Sequence, residues 1–309
     1  MARETFDNWI VVEKGDVAIQ ALAKASAVEM LGRPETMNSD TKDVPRSGDF
    51  AIAGIAKGAT YGATSGTNDY VELIARKVGG SIQIAEEDLL DQTVDIFATK
   101  REDASRNMAK FFDNATIGCS ATANGTTVLY TSVYKEIRTT DADVSYTADD
   151  NFVSGAATYD NLSATLAKVE DSDFFDASQM VVIASPAYKQ VFRGIKDDNN
   201  LPIFVLGTAG TPDTLFEYPV TWSQGCRVSA TNTYAPTGNP LLVVANRNLL
   251  IKGMAKLSPQ IASPNPGFAI QRAMNGVGFL SDSAYMKAAM RRGFAVGHPK
   301  GVAVFEKTS

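Results

Sequence analysis

The sequence predicts an α+β fold that combines one long amphipathic helix with many short strands. The helix is indicated by apolar residues such as Leu90, Val94 and Phe97, spaced three and four apart, in a pattern that extends over residues 86–117. The strands are indicated by short apolar runs between turn residues, most of them in the last hundred positions. A third observation is a glycine-rich, low-charge stretch over 51–68 that has little apolar material for a core of its own. At 309 residues, the chain has room for one large domain or two.

Composition excludes several classes of protein. Hydrophobic residues make up 44% and charged residues 21%, which argues against disorder, collagen and coiled coils. The longest apolar runs, such as residues 180–184, are far shorter than the ~18 residues that span a bilayer. Residues 1–7 contain no apolar signal region. Cys119 and Cys226 are too far apart for a zinc motif and too few for a disulfide framework, so synthesis in a reducing cytosol is expected.

The charge balance argues against a protein that grips nucleic acid. The net charge is −6, and the first 50 residues carry six Lys and Arg against nine Asp and Glu. A reader of nucleic acid is expected to show a basic patch or arm. We therefore expect the chain to enclose nucleic acid, if it meets any, without specific binding.

No motif for catalysis, cofactor binding or metal binding is found in the sequence. The single histidine, His298, precedes a proline, which favours a surface or interface role over catalysis. Residues 276–278 form a lone G-x-G without the rest of a dinucleotide fingerprint. The acidic pairs at 149–150 and 197–198 are typical of solvated turns. The sequence thus predicts a non-enzyme with no catalytic, cofactor or metal residues.

The first predicted element is a helix over 17–31, with Asp16 as its N-cap and Gly32 as its C-terminal stop. Residues 37–49 are polar and predicted to be irregular. Residues 45–84 are predicted to form a two-stranded arm, because strand patterns at 70–76 and 81–84 follow the glycine-rich tip.

The tip carries one charge, Lys57, and four glycines spaced four apart. An isolated ribbon of this kind is marginally stable and has adhesive edges, so we expect it to lie on a neighbouring subunit. A mobile surface loop is the alternative. The candidate inter-subunit contacts are Lys57, Tyr61, Tyr70 and Arg76.

The helix over 86–117 begins with three acidic residues at the positive end of its dipole and is closed by Gly118. At 1.5 Å per residue it would be ~48 Å long, which suggests a spine that joins parts of the molecule. Residues 119–157 are predicted to hold a strand or two with loops. Helices are predicted at 159–171 and from Ser185 to 195, with Ser185 as N-cap. Strands are predicted at 180–184, 214–223, 241–245, 249–254, 268–274, 286–296 and 301–305.

Several separated segments resemble one family. They are DDNNLPI at 197–203 with GTPDTLFEYPV at 210–220, the helix SPAYKQVFR at 185–193, the strand and acidic turn at 71–90, and MRRGFAVGHP at 290–299. Glu217 stands where the family commonly has glycine, and Ala85 stands where it has a capping Ser or Thr. Their order and spacing resemble the tailed-phage major capsid protein with the Hong Kong 97 fold, over residues 45–309.

The resemblance implies a division of the chain. Residues 1–44 would be an N-arm, 45–84 an extended β-hairpin E-loop, 85–154 a peripheral domain with the spine helix, 155–245 an α/β axial domain, and 246–309 the strands that return to the peripheral domain. Because only about 44 residues precede the E-loop, a fused scaffolding domain is not expected.

The favoured function is that of a structural major capsid protein whose copies assemble, as pentamers and hexamers, into an icosahedral shell around the double-stranded DNA of a tailed phage. Separate scaffolding, portal and decoration proteins are the expected partners, and assembly is expected in the host bacterial cytoplasm, with the product in the virion and no membrane involved. An encapsulin-type nanocompartment shell is the first alternative, and a soluble α+β enzyme or binding protein is the distant one.

The founding family member crosslinks its subunits through an E-loop lysine, an asparagine and a glutamate base. Lys57 supplies a lysine here, but Asp282 stands near the asparagine position and Ala288 or Ala289 near the glutamate position. We therefore expect a shell that is held without covalent crosslinks, unless Asn275 or Glu306 substitutes in another register.

Overall fold

The computed structural model describes residues 26–48, 52–62, 69–196, 204, 213–257, 267–271 and 282–308. Its strands are β1 (Arg33–Met37), β2 (Thr41–Arg46), β3 (Asp69–Ile74), β4 (Arg76–Ala85), β5 (Phe152–Gly155), β6 (Met180–Ala184), β7 (Thr214–Leu215), β8 (Tyr218–Trp222), β9 (Leu241–Asn246), β10 (Leu250–Ala255), β11 (Gly267–Gln271), β12 (Ser283–Val296) and β13 (Val302–Lys307). Its α-helices are α1 (Ala27–Leu31), α2 (Glu86–Leu90), α3 (Ile96–Asp113), α4 (Val133–Glu136), α5 (Tyr159–Glu170) and α6 (Tyr188–Gly194). Short 3₁₀ turns cover Arg247–Leu249 and Pro299–Gly301.

The long strand β12 organises a five-stranded sheet. One edge of β12 pairs with β4 over ten residues, and the other edge pairs with β11 in its first half and β10 in its second half. β1 adds to β10 in parallel. The start of α3 packs on this sheet through Phe97, against Ile84 and Met286. The fourteen residues of β12 therefore connect elements from both ends of the chain.

A second sheet has the order β5-β13-β9-β6-β8-β7 and forms the centre of the molecule. Its middle strands are buried on both faces, so their sequences are continuous apolar runs without alternation. In β9, Val243 faces the large core that contains Phe112 of α3, whereas Leu242 and Val244 face a second core beneath α5. The sheet thus separates two hydrophobic cores.

The predicted continuous helix over 86–117 is wrong. Residues 91–95 interrupt it, and Asp95 starts a new helix by accepting a hydrogen bond from the Ala98 amide at 3.0 Å. Asp95 is an N-cap residue by type, and this signal competes with the helical period. The eighteen residues of α3 extend about 27 Å, and a π-helical turn over Asn114–Gly118 follows. The predicted acidic first turn, the absence of a capping side chain at Ala85 and the stop at Gly118 are confirmed.

The predicted N-terminal helix is only partly described. Asp16 and residues 17–25 lie outside the described residues. Ser26 is extended and its side chain caps α1, so a single helix over 17–31 is wrong, while the stop at Gly32 is confirmed. The prediction of irregular structure over 37–49 is also wrong, because β1 and β2 cover most of residues 33–46. Pro34 lies in β1, an edge strand of its sheet, where a missing amide is tolerated.

Most other predicted elements are confirmed. These are the strand at 180–184, the helix at 159–171 and the strands near 241–245, 249–254, 286–296 and 301–305. Helix α4 was not predicted, and the strand over 214–223 is a hairpin with its turn at Phe216 and Glu217. The Ser185 N-cap is wrong, because α6 begins after Ala187 and the Ser185 hydroxyl makes no hydrogen bond. The turn at 197–200 and the G-x-G at 276–278 lie outside the described residues.

None of the helices among the described residues is both long and apolar enough to cross a membrane. In the same part of the chain, no group of three or more His, Cys, Asp and Glu side chains is placed to hold a metal ion.

Candidate assembly surfaces

A two-stranded ribbon lies outside the two large sheets. β2 and β3 pair antiparallel from Thr41 with Ile74 to Arg46 with Asp69, and they make no pairing with either large sheet. Beyond them, every residue of 52–62 is exposed, and neither helix nor strand forms there. The predicted arm is therefore present with shifted boundaries, since its strands are 41–46 and 69–74. Residues 76–85 belong to the five-stranded sheet instead.

The ribbon is fixed to the body by charge at one end and by packing near the other. The Arg46 guanidinium pairs with Asp69 across the ribbon and with Asp141 of the body at 3.0 Å. These two carboxylates raise the pKa of Arg46 further, and the same contact lowers the pKa of Asp69. Leu73 is fully buried against Met37 and Ile251. The paired strands are thus held to the body at both ends, and the exposed segment 52–62 belongs to the connection beyond the Arg46–Asp69 end.

Three of the four predicted contact residues lie on the exposed side of this arm. Lys57 is in a turn with Gly58, and Tyr61 is 84% exposed in the same segment. Tyr70 is on β3 and 61% exposed. Their contacts with a neighbouring subunit remain predictions.

Arg76 is placed differently from the other three. It starts β4 at the base of the arm, and its guanidinium lies against Gly125, where a side chain would collide with it. Its Nε atom is buried without a hydrogen bond. The structure therefore places Arg76 in a cleft between arm and body, apart from the tip residues.

A buried carboxylate at the end of α3 joins three parts of the body. Asp113 accepts hydrogen bonds from the Ser26 and Ser223 hydroxyls and from the amides of Ala27 and Val28, the latter two at 3.0 and 3.2 Å. Burial raises the pKa of Asp113, and these four hydrogen bonds oppose that shift. The first helix, the spine and the loop after β8 are therefore held at one point.

Other titratable groups also make contacts within the chain. His298 stacks on Phe174 at 4.0 Å between ring centroids, and its Nδ1 accepts a hydrogen bond from the Lys300 amide. Burial lowers the pKa of His298 to about 4, so it is neutral at pH 7. Glu306 accepts hydrogen bonds from the Tyr134 hydroxyl at 2.8 Å and the Asn239 amide at 2.6 Å. Cys119 and Cys226 are buried and free.

Sequence reasoning missed Arg46 and Asp113. Asp113 had one usable signal, because it lies near the C-terminal end of the predicted helix, where the dipole disfavours an acid. Arg46 had none, because its partners are 23 and 95 positions away.

The chain has the Hong Kong 97-like capsid fold of a shell subunit, as predicted. The fold combines the β2–β3 ribbon, the spine helix α3, the five-stranded sheet and the six-stranded sheet between the two cores. The phage capsid family model matches residues 14–307. The chain therefore belongs to the phage capsid family, and it is a structural major capsid protein of a tailed phage rather than an enzyme.

Solved structures agree in fold at low sequence identity. A chain of Microbacterium phage Oxtober96 is 16% identical, with 97% of each chain covered and a TM-score of 0.66. A chain of Mycobacterium phage Ogopogo is 12% identical, with full coverage of both chains and a TM-score of 0.70. The capsid of an empty GTA particle is 12% identical, with 98% and 96% covered and a TM-score of 0.66. No curated protein matches the sequence.

Proposed function

We propose that copies of this chain assemble as pentamers and hexamers into an icosahedral head around double-stranded DNA. The observation that carries this proposal is the fully exposed segment 52–62, in which Ile52 and Tyr61 have most of their surface in water. Exposed apolar side chains in a segment that has no core of its own are stabilised when another subunit covers them. Lys57 and Tyr61 then contact the neighbour at the tip, and Tyr70 contacts it along the ribbon.

The division of the chain is part of the proposal. Residues 1–44 act as an N-arm, 45–84 as the E-loop, and 85–154 with 246–309 as a peripheral domain that holds the spine helix. The five-stranded sheet of this domain also takes β1 from the N-arm and β4 from the E-loop range. Residues 155–245 form the axial domain, which meets its copies at the centre of each capsomer. Support comes from the two sheets, one of which gathers strands from both ends of the chain while the other carries α5 and α6.

Separate scaffolding, portal and decoration proteins complete the assembly, which takes place in the host cytoplasm before the product becomes part of the virion. The DNA is confined rather than read, which suits a subunit with a net charge of −6.

Particle sizing tests the proposal. Native material should sediment as megadalton particles that protect double-stranded DNA from nuclease. Megadalton particles that carry a protein cargo and no genome would instead indicate an encapsulin-type compartment. Material of one or a few subunits would contradict both.

The contact assigned to the arm has its own test. Hydrogen exchange at 52–62 should be fast in unassembled subunits and slow in shells, because only the shell covers the segment. Strand β9 provides the internal control, since its six residues are buried in the single chain and should be protected in both states. Equal protection of 52–62 in both states would contradict the assigned contact.

A further inference from the structure

Two neighbouring cavities follow one side of α3 and are lined by cations. The first, of about 570 Å³, lies between α3 and β4, and the second, of about 470 Å³, lies between α3 and the segments around residues 185 and 225. They share Asn107 and Tyr234, and we call them together the spine groove. Its charged lining residues are Lys77, Lys100, Arg106, Lys110 and Arg227.

No Asp or Glu among the described residues lines the spine groove. The nearest acid in contact with these cations is Asp103, which pairs with Arg106 at 2.9 Å and Lys100 at 3.5 Å. Five cations therefore face one carboxylate, in a chain whose net charge is −6. A larger cavity of about 1010 Å³ beside α5 has the opposite character, because four acids and two lysines line it.

The second cavity also contains a hydroxyl without a partner. Ser185 is fully buried and lines this cavity, and its Oγ makes no hydrogen bond. Lys110 has no ion-pair partner among the described residues. Arg227 is held in place because its Nη1 donates to the Gly238 carbonyl at 3.1 Å. Ser185, Lys110 and Arg227 line the same cavity, so an oxyanion bound there has two cations and a hydroxyl group in its surroundings.

We infer that the spine groove binds the phosphate backbone of a nucleic acid strand. Lys100 and Lys110 are about 15 Å apart along the helix, which matches roughly four nucleotides at ~3.4 Å each. The exposed ring of Tyr234 lies where the two cavities meet, and Met108 and Phe111 form an apolar floor beside it. A cationic groove with an aromatic platform is the general form of a binder that does not read sequence.

This inference rests on the proposed enclosure of DNA, which brings phosphate to the subunit at high concentration. It refines the expectation that a net charge of −6 argues against contact with nucleic acid, since this acidic chain contains one basic groove. It also keeps the expectation that binding is not specific, because phosphate contacts carry no base information.

The test uses unassembled full-length subunits and a dye-labelled ten-nucleotide single strand, followed by fluorescence anisotropy across a salt series. Lys110→Gln should weaken binding about five-fold at 0.1 M salt and reduce the slope of log affinity against log salt by about 0.7. Ser185→Ala and Tyr234→Ala should also weaken it. Lys168→Gln is the matched control, because this helical lysine lies among carboxylates beside α5 and should bind as wild type does.

Three results would overturn the inference. The first is equal binding by Lys110→Gln and Lys168→Gln. The second is displacement of the oligonucleotide by inorganic phosphate at equal phosphate concentration, which would indicate a site for a single free anion. The third is equally good competition by polyglutamate of equal charge, which would indicate an acidic protein segment. Particle sizing of the same preparation keeps the proposed function separate, because shells can form whether or not the groove binds nucleic acid.

Discussion

Arg292 of β12 forms a two-point ion pair with Glu29 of α1, across 263 positions of sequence. Its Nη2 lies 2.7 Å and its Nε 3.0 Å from the same carboxylate oxygen, and its side chain is only 2% exposed. The buried guanidinium of Arg292 thus links helix α1 to β12, the longest strand of the five-stranded sheet.

We expect Glu29→Ala to lower the free energy of unfolding by about 3 kcal/mol, because it leaves the buried Arg292 charge without its counter-ion. Urea unfolding of unassembled subunits measures the change. Asp149→Asn is the control, since it breaks the exposed pair with Arg138 and should cost less than about 0.5 kcal/mol. Equal losses would show that the buried pair has no special weight.

Asp113→Asn should destabilise the subunit by about 2 kcal/mol. Each Asp113 oxygen accepts one backbone amide, from Ala27 or Val28, so either orientation of the asparagine places an NH₂ group against an N–H donor. Thermal unfolding measures this. Asp160→Asn, in the first turn of α5, is the comparison and should change little. An unchanged melting temperature for Asp113→Asn would mean that the carboxylate is not the junction described above.

The pH dependence of stability should contain a contribution from His298. Its pKa is lowered to about 4 in the folded chain from an ordinary value of 6.5. The stabilisation is therefore complete above pH 6.5 and is lost as the pH falls towards 4, because the unfolded chain takes up the proton first. After allowance for solvent screening, we expect roughly 1–2 kcal/mol.

His298→Asn is the variant that tests this, because asparagine can still accept the hydrogen bond from the Lys300 amide but does not titrate. The difference between wild type and variant should grow between pH 6.5 and 4. A constant difference would contradict the assignment.

Glu217→Gly should stabilise the subunit by about 0.5–1 kcal/mol. Phe216 and Glu217 form the two-residue turn between β7 and β8, with φ angles of 47° and 74°. Such a turn favours glycine, which adopts positive φ without the cost that a Cβ atom brings. Glu217→Ala removes the same charge but keeps the Cβ atom, so it should give no gain in differential scanning calorimetry. An equal gain from both variants would assign the effect to charge instead.

Mature shells should be free of covalent crosslinks. Lys57 is exposed at the tip, but Ala288 and Ala289 are buried in β12 and offer no base, while Glu306 is occupied by Tyr134 and Asn239. Asn275 lies outside the described residues. Boiling mature particles in detergent should give one band near 33 kDa, with Lys57→Arg particles as the control. A ladder that disappears in Lys57→Arg would prove a crosslink through this lysine.

The elements that could be predicted correctly from the sequence are those whose signals are local. The buried run of β6, the amphipathic pattern of α5 and the glycine stop after α3 each depend on neighbours within a few positions, and each was predicted correctly. The break at 91–95 was missed because the apolar spacing continues through it while Asp95 starts a new helix. The strands β1 and β2 were missed because their polar residues are paired by β10 and β3, which no local pattern reveals.

The same difference between local and non-local signals applies to the candidate contact residues. Exposure of Lys57, Tyr61 and Tyr70 could be predicted from the composition of the tip. The position of Arg76 could not, since the cleft that holds it is formed by residues near 125. The spine groove was hidden because its cations come from three separate segments, β4, α3 and the chain around residue 227, and the charge of the whole chain has the opposite sign.

The place of β13 in the central sheet has a consequence for how the subunit is made. Residues 302–307 lie between β5 and β9, so β5, synthesised near residue 152, has no strand partner in this sheet until residues 302–307 have left the ribosome. During translation, β6 and β9 therefore belong to an incomplete sheet. The six-stranded sheet is completed late, when β13 pairs with β5 and β9 from distant parts of the chain. A product truncated before residue 302 would therefore lack the strand that joins β5 to β9.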